Sequence, residues 1–185
     1  MRWRAFPFVL LLCATCGHQD AVAGGGSTLD VSGLPKLAVT SPAFANGAEI
    51  PTQYTCEGSD AVPVLAWSGA PATTKSFALV VDDPDAPDPK APKRVWVHWV
   101  RSRIPATTTS LPEDSTAGLD GKNDWGTPGW RGPCPPIGRH RYMFTVYALD
   151  AELGGAGMTK AELVAAIRGH VVAAGQLVGT YQKKK

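Results

Sequence analysis

The chain has 185 residues, of which 44% are hydrophobic and 18% charged, and its formal net charge is +2 at pH 7. This apolar content can build a core and argues against a disordered chain. The 20 glycines and 16 prolines favour a β-rich fold over a helical bundle, because both residue types disrupt helices. Basic residues do not cluster with aromatics, which argues against nucleic-acid binding.

The N-terminus is typical of a secretory signal peptide. Arg2 and Arg4 precede an apolar stretch at residues 5–15, and an A-x-A pattern ends at Ala23. The stretch is shorter than the roughly 20 apolar residues of a membrane-spanning helix. We therefore predict a signal peptide at residues 1–23, a flexible Gly-rich linker at 24–36 and a domain at 37–183, located in the periplasm or secreted. An apolar N-terminus without a targeting role is the alternative.

The four cysteines leave two questions open. Cys13 or Cys16 could be lipidated, although neither has the usual preceding residues, and membrane contact is expected only in that case. Cys56 and Cys134 remain in the mature chain. They form either a disulfide, as is common in secreted domains, or two buried thiols.

Short apolar runs rich in β-branched and aromatic residues predict strands. The run at 95–100 is apolar on both faces, which is typical of a central strand covered on both sides. A helix begins at Thr159, which forms a T-x-x-E capping box with Glu162, and is predicted to end near residues 169–171. The other predicted strands are 76–81, 142–149 and 177–182, and long Pro/Gly-rich loops lie at 82–93, 104–124 and 126–139.

An Asp/Pro cluster at residues 82–87 follows the predicted strand 76–81. In extended chain, Asp83 and Asp85 would point to one side, about 7 Å apart. The alternative is a turn in which both carboxylates cap backbone amides. The crowded sequence also suggests a cis bond between Asp83 and Pro84.

Two histidines lie in patterns that suggest a site. Strict alternation would place His98 on the same face as Trp96 and Val100, either as a hydrogen-bonded core residue or as an anion or proton ligand. His140 and Tyr142 share strand parity after the Pro-rich segment 132–138. That segment is either a rigid loop that aims backbone amides inward or a simple connector.

Taken together, these motifs resemble the phosphatidylethanolamine-binding protein family, also called Raf kinase inhibitor-like proteins. The resemblance covers residues 37–182 and includes features of the bacterial YbhB/YbcL-type subgroup. The motifs are DPDAP at 83–87, HW at 98–99, GPCPP-x-G-x-HRY at 132–142, YTCEG at 54–58 and GHVVAAGQLVGTY at 169–181.

The resemblance implies a β-sandwich in which a large antiparallel sheet packs on a smaller one, with one or two peripheral helices. It also implies a small anion pocket at one end of the large sheet. The implied ligand-binding groups are the Asp83 and Asp85 carboxylates, the His98 ring N–H, the Gly132 backbone N–H, the Tyr142 hydroxyl, and His140 at the rim. The implied pocket wall consists of Pro84, Pro87, Trp99 and Pro135.

A carboxylate beside an anion site requires an explanation, because it would repel the anion. Asp83 is compatible with a zwitterionic ligand whose amine meets it, with a protonated phosphate, or with an ion pair to His98 that keeps the imidazole charged. For the empty site we favour the ion pair.

The predicted function is binding of a small phosphorylated or carboxylated ligand, such as a phosphoethanolamine-like head group, without turnover. No cofactor and no metal site is expected, and a homodimer is left open. One alternative is an interaction protein that inhibits an enzyme or receptor. Another is a hydrolase that uses Asp83, Asp85 and His98, or Cys134 as a nucleophile. No apolar channel for acyl chains is evident from the sequence.

Overall fold

Two antiparallel sheets face each other in the computed structural model, which describes residues 29–184. The small sheet contains β1 (Ala38–Thr40), β2 (Leu65–Ser68) and β5 (Ser110–Leu111), in the order β1-β2-β5. The large sheet contains β3 (Ser76–Asp83), β4 (Trp96–Pro105), β6 (Leu119–Asp120), β7 (Arg139–Leu149) and β8 (Val171–Gln182), in the order β6-β4-β3-β7-β8. A 3₁₀ turn (Thr52–Tyr54) and the helix α1 (Lys160–Ile167) are the helical elements of this part of the chain. The predicted mostly-β sandwich is confirmed.

The large sheet is buried on both faces, as the apolar central strands predict. Phe77 and Leu79 of β3 pack between the sheets, in a core that includes Trp67 of the small sheet. Val80 points the other way and belongs to a second core with Leu163 of α1. Successive side chains of a strand alternate between faces, so one strand serves both cores.

The helix begins where the capping box predicts and ends earlier than expected. The Thr159 hydroxyl accepts a hydrogen bond from the Glu162 amide, and the Thr159 amide donates to Glu162 Oε2 at 2.8 Å. The predicted end at residues 169–171 is wrong, because Arg168 is already extended and Gly169 has a φ of 82°. β8 starts immediately afterwards, at Val171. None of the helices among residues 29–184 is long and apolar enough to cross a membrane.

A β-bulge in β4 changes the direction of the side chains that follow it. Val81 pairs with Trp99 and Asp82 pairs with Val97, so His98 is the extra residue. His98 and Trp99 therefore both face the region between the sheets, whereas Val100 faces the helix. The expectation that His98 shares a face with Val100 is wrong, because the bulge interrupts strict alternation.

The start of the described chain lies against the large sheet. Leu29 and Val31 pack on the helix-side core. The Leu37 amide donates to the Ala174 carbonyl at 3.0 Å, and the Ala174 amide donates to the Pro35 carbonyl at 3.1 Å. This part of the predicted linker therefore makes contacts that its sequence pattern did not reveal. The predicted signal peptide, with Cys13 and Cys16, lies outside the described residues.

Candidate functional site

A cavity of about 550 Å³ lies at the end of the large sheet, where β3 ends and β4 and β7 begin. It brings together residues from all three predicted stretches, among them Asp83, His98 and Tyr142. Its remaining lining residues are Ala86, Pro87, Lys93, Arg94, Trp96, Trp125, Cys134, Pro135, Pro136 and His140. The spatial convergence that the motifs imply is therefore present.

His98 is a neutral ring held by the backbone. Its Nδ1 lies 2.5 Å from the Arg131 carbonyl oxygen, and its ring meets the edges of Trp125 and Tyr142 at centroid distances of 5.1 Å. Burial lowers its pKa to about 4, although the carbonyls of Arg131 and Gly132 favour the charged ring. The expected ion pair between His98 and Asp83 is wrong, because His140 occupies the carboxylate instead.

His140 and Asp83 form a buried pair. His140 Nδ1 lies 2.7 Å from Asp83 Oδ2, and His140 Nε2 lies 2.9 Å from the Ile137 carbonyl oxygen. A carbonyl oxygen only accepts, so Nε2 carries a proton, and a second proton is shared between Nδ1 and Oδ2. The pair is thus electrically neutral whichever atom holds that proton. His140 is fully buried, so its expected position at the rim is wrong.

Two influences act in opposite directions on the Asp83 carboxyl. Burial, the larger one, raises its pKa, while the hydrogen bond from His140 lowers it. Asp83 Oδ1 also accepts the backbone N–H of Asp85 at 2.8 Å. The carboxylate therefore has its partners within the protein, and its charge is balanced before any ligand arrives.

Asp85 holds the start of β7 rather than facing the cavity. It accepts two hydrogen bonds from the Arg141 guanidinium, at 2.9 and 2.6 Å, and one from the Arg141 amide at 2.9 Å. The Arg141 hydrogen bonds lower the pKa of the Asp85 carboxyl.

The cis peptide bond of this segment lies at Ala86–Pro87, so the expectation of a cis bond at Asp83–Pro84 is wrong.

The Pro-rich loop is tied to the segment that contains Cys56. The disulfide Cys56–Cys134 is present, and the Gly132 amide donates to Asp60 Oδ1 at 2.7 Å. The Gly132 N–H, expected as an anion donor, is therefore already satisfied. Because Cys134 is half of a disulfide, it is not a free thiol that could act as a nucleophile. Sequence reasoning missed Asp60, whose pKa is raised by burial.

Tyr142 brings a buried hydroxyl to the cavity, and that hydroxyl has no hydrogen-bond partner among the described residues. Its pKa is raised, chiefly by burial and also by the carboxylates of Asp83 and Asp85, so it remains a neutral donor. Trp96 also lines the cavity, and its Nε1 is likewise buried without a partner in the described chain. An unpartnered buried donor is costly, which makes both groups candidates for contact with a ligand.

Two cations lie at the cavity, and the motifs did not reveal them. Lys93 and Arg94 follow the Asp/Pro cluster, and both of their amides donate to the Ala86 carbonyl. The Arg94 guanidinium lies 3.8 Å from the centre of the Trp96 ring, which is cation–π geometry. With Asp83 balanced by His140, these two residues make the net formal charge of the lining positive.

Two of the four residues expected in the pocket wall line the cavity. Pro87 and Pro135 line the cavity, but Pro84 and Trp99 do not. The Trp99 indole belongs to the core between the sheets and donates from Nε1 to Asp120 at 3.0 Å. The bulge in β4 places Trp99 there, next to His98. Among residues 29–184, no three His, Cys, Asp or Glu residues are grouped so that they could hold a metal ion.

Comparison with known proteins identifies the family. The family model described as "Phosphatidylethanolamine-binding protein" matches residues 40–182. The chain belongs to the phosphatidylethanolamine-binding protein family. The "UPF0098 protein" of the archaeon Methanothermobacter thermautotrophicus is 43% identical over 149 residues, which span 76% of this chain and 95% of that protein.

Solved structures of the family share this fold. A putative phosphatidylethanolamine-binding protein homologue from Chlamydia trachomatis, CT736, has a TM-score of 0.75 and 38% identity, covering 81% of this chain and 99% of its own. Escherichia coli YbcL, described as a member of the mammalian family, has a TM-score of 0.72 and 34% identity, covering 80% and 99%. The protein is therefore a family member over nearly all of its described length.

Proposed function

We propose that this family member binds a small phosphorylated or carboxylated anion in the cavity of about 550 Å³ without converting it, and that a phosphoethanolamine-like head group is a suitable ligand. The observation that carries the proposal is the hydroxyl of Tyr142, a residue of the cavity lining: the hydroxyl is buried and lacks a partner among the described residues. A ligand oxygen that accepts from this hydroxyl would replace the solvation that burial removed.

Charge supports an anion rather than a neutral or cationic ligand. The Asp83 carboxylate, which would repel an anion, is balanced by His140 at 2.7 Å. Lys93 and Arg94 remain as positive groups at the cavity. In a partly desolvated cleft, fixed donors and nearby cations favour phosphate or carboxylate oxygens.

The walls support binding with little rearrangement. Pro87, Pro135 and Pro136 line the cavity, and the disulfide holds Cys134 beside them. Proline restricts the backbone, and a cross-link reduces loop motion, so less conformational entropy is lost when a ligand binds.

Binding is favoured over hydrolysis by the state of the candidate catalytic groups. Both carboxyl groups are engaged by side chains, Asp83 by the His140 ring and Asp85 by the Arg141 guanidinium. Cys134 is in a disulfide. The hydrolase alternative needs one of these carboxylates to act together with His98, or the Cys134 thiol as a nucleophile, and all three groups are committed to other partners.

We also infer that the protein acts outside the cytoplasm. The signal-like pattern of residues 1–23 supports export, and a disulfide is most stable in an oxidising compartment. N-terminal sequencing of the protein from its own cells should give Gly24 as the first residue. A mature N-terminus at Met1 would contradict export, and a blocked N-terminus at Cys13 or Cys16 would indicate lipidation.

Calorimetric titration with inorganic phosphate and with phosphoethanolamine tests the binding proposal. Tyr142→Phe removes only the unpartnered hydroxyl, and loss of a hydrogen bond to a charged group should weaken binding about 10- to 100-fold. Tyr147→Phe is the matched control, because Tyr147 lies on the same strand but belongs to the helix-side core. Absence of binding to the unaltered protein, or equal affinity in the Tyr142→Phe variant, would contradict the proposal.

A further inference from the structure

We propose that Asp60 is a positioning residue of the cavity, which acts on the His98 ring through the peptide unit that joins Arg131 to Gly132. Asp60 is not among the residues that line the cavity, so it acts without touching a ligand. Its effect on binding rests on the proposed function, whereas its effect on the ring can be measured without any ligand.

A single peptide unit lies between the carboxylate and the imidazole. Its N–H, from Gly132, donates to Asp60 Oδ1 at 2.7 Å. Its carbonyl oxygen, from Arg131, lies 2.5 Å from His98 Nδ1. The carbonyl can only accept, so Nδ1 donates to it whether the ring is neutral or charged. The N–H and C=O of a planar trans peptide point in opposite directions, so the orientation of one group fixes that of the other.

The neighbouring contacts hold the two ends of this peptide unit but leave its plane free to rotate. On one side, the Arg131 amide donates to the His98 carbonyl at 3.1 Å. On the other side, the Pro133 carbonyl accepts from the Cys56 amide at 3.1 Å, and the disulfide holds the residue that follows. Rotation of the plane needs only compensating changes in the backbone angles on either side of it. The Asp60 carboxylate opposes this rotation from the N–H side.

Glycine at position 132 makes such a restraint necessary. A Cβ atom there would lie 2.3 Å from the Tyr54 carbonyl oxygen and 2.4 Å from Asp60 Oδ1, so only glycine allows this close approach. Glycine also has the widest range of backbone angles, so a peptide unit beside it is the least restricted. The close packing of the loop therefore requires a residue with little backbone restraint, and the carboxylate supplies the restraint that is missing.

The backbone of Asp60 indicates a specific requirement for its side chain. Its φ is 58°, in the left-handed region that residues other than glycine adopt uncommonly. The Ala61 amide, which follows, donates to the Gln53 carbonyl at 3.0 Å and holds this conformation. Glycine would adopt it without strain but has no acceptor, whereas aspartate and asparagine tolerate it and supply one. The acceptor explains why position 60 is not a glycine.

The charge of the carboxylate strengthens the second hydrogen bond of the peptide unit. A hydrogen bond accepted from the N–H polarises the amide, so that the carbonyl oxygen of the same amide becomes a stronger acceptor. That oxygen accepts from His98, whose ring is 2% exposed and lines the cavity. Carboxylate, peptide and imidazole thus form one chain that keeps the ring in a fixed orientation towards the cavity.

Two variants separate the acceptor from its charge. Asp60→Gly permits the same backbone conformation and removes the acceptor, whereas Asp60→Asn retains an acceptor oxygen without the charge. Ser59→Ala is the matched control, because Ser59 is exposed and its hydroxyl donates to the Gln53 carbonyl at 3.1 Å, within the same segment.

Nuclear magnetic resonance of the ligand-free protein with ¹⁵N-labelled histidine gives the first readout. The Nδ1 proton of His98 should exchange slowly with water, and its contacts with the rings of Trp125 and Tyr142 assign it. Asp60→Gly should accelerate this exchange about tenfold or more and move the resonance upfield. Asp60→Asn should keep the exchange rate within about threefold and cause a smaller shift. Ser59→Ala should change neither.

Calorimetry with phosphoethanolamine, at a temperature at which every variant is folded, gives the second readout. Asp60→Gly should bind about 3- to 10-fold more weakly, because its ring must be oriented when the ligand binds. Asp60→Asn should restore the affinity to within about twofold. If Asp60 only stabilises the fold, Asp60→Gly will lower the midpoint of urea unfolding and leave the resonance and the affinity unchanged, which would overturn the proposal.

If Asp60→Gly does not fold, Asp60→Asn decides, and an unmoved His98 Nδ1 resonance in that variant would overturn the proposal. Absence of phosphoethanolamine binding to the unaltered protein would overturn the proposed function. The resonance in the ligand-free variants would still decide whether Asp60 orients the ring.

Discussion

Acidification should destabilise the protein through His98. The folded ring has a pKa of about 4, whereas the same residue in the unfolded chain titrates at 6.5. The stabilising contribution of the neutral ring is therefore fully present above pH 6.5 and decreases as the pH falls towards 4, where the unfolded chain binds the proton more readily. Integration between these two pKa values gives a loss of about 3 kcal/mol at pH 4.

Urea unfolding between pH 7 and pH 4 measures this loss, provided that the buffers are cationic piperazines, which do not occupy an anion site. The comparison is between the unaltered protein and His98→Gln, whose side chain does not titrate. The difference between their free energies of unfolding should shrink by about 3 kcal/mol across this range. His170→Gln is the control, because His170 lies on the surface with its side chain 46% exposed.

The result that would refute the reasoning is a difference between the unaltered protein and His98→Gln that does not change with pH. A difference that widens as the pH falls would mean that folding raises the pKa of His98, as an ion pair with Asp83 would do.

Two further predictions concern stability away from the ligand cavity. The double substitution Cys56→Ser/Cys134→Ser removes a cross-link between residues 78 positions apart, and the chain-entropy relation gives a loss of about 4 kcal/mol in the free energy of unfolding. An unchanged midpoint and slope of urea unfolding would contradict this stabilising effect of the disulfide. Thr159→Ala removes the side-chain half of the capping box and should cost about 1 kcal/mol in the same assay, and a loss below about 0.3 kcal/mol would contradict a role for the cap.

The sequence predicted the fold class and most elements because their signals are local. The apolar runs of β3 and β7 and the capping box at Thr159 each depend on neighbours within a few residues. The end of α1 was misplaced, because Gly169 in the left-handed region and the start of β8 stop the helix before its apolar pattern ends. The bulge at His98 was not predicted either, since it exists only in the pairing of β4 with β3.

The roles of the individual residues in the cavity could not be predicted from such local signals. The motifs named His98, His140, Asp83 and Tyr142, but they did not show which histidine meets the carboxylate. Strand register decides this: Asp82 pairs with Met143, so Asp83 comes level with Tyr142, and His140 lies two residues away on the same face of β7. His98 is instead turned towards the Arg131 carbonyl.

Composition and periodicity thus determined that this chain is rich in β-strands, and the resemblance of its motifs to a known family implied two sheets with acidic, imidazole and phenol groups at one end. The tertiary structure alone decided their protonation and availability. Asp60 accepts a hydrogen bond from the Gly132 amide, and Arg141 forms an ion pair with Asp85. The two partners are 72 residues apart in the chain in the first case and 56 in the second. Such pairings depend on distances in space, because hydrogen bonds and burial act over a few ångströms and no local pattern records which distant groups will be that close.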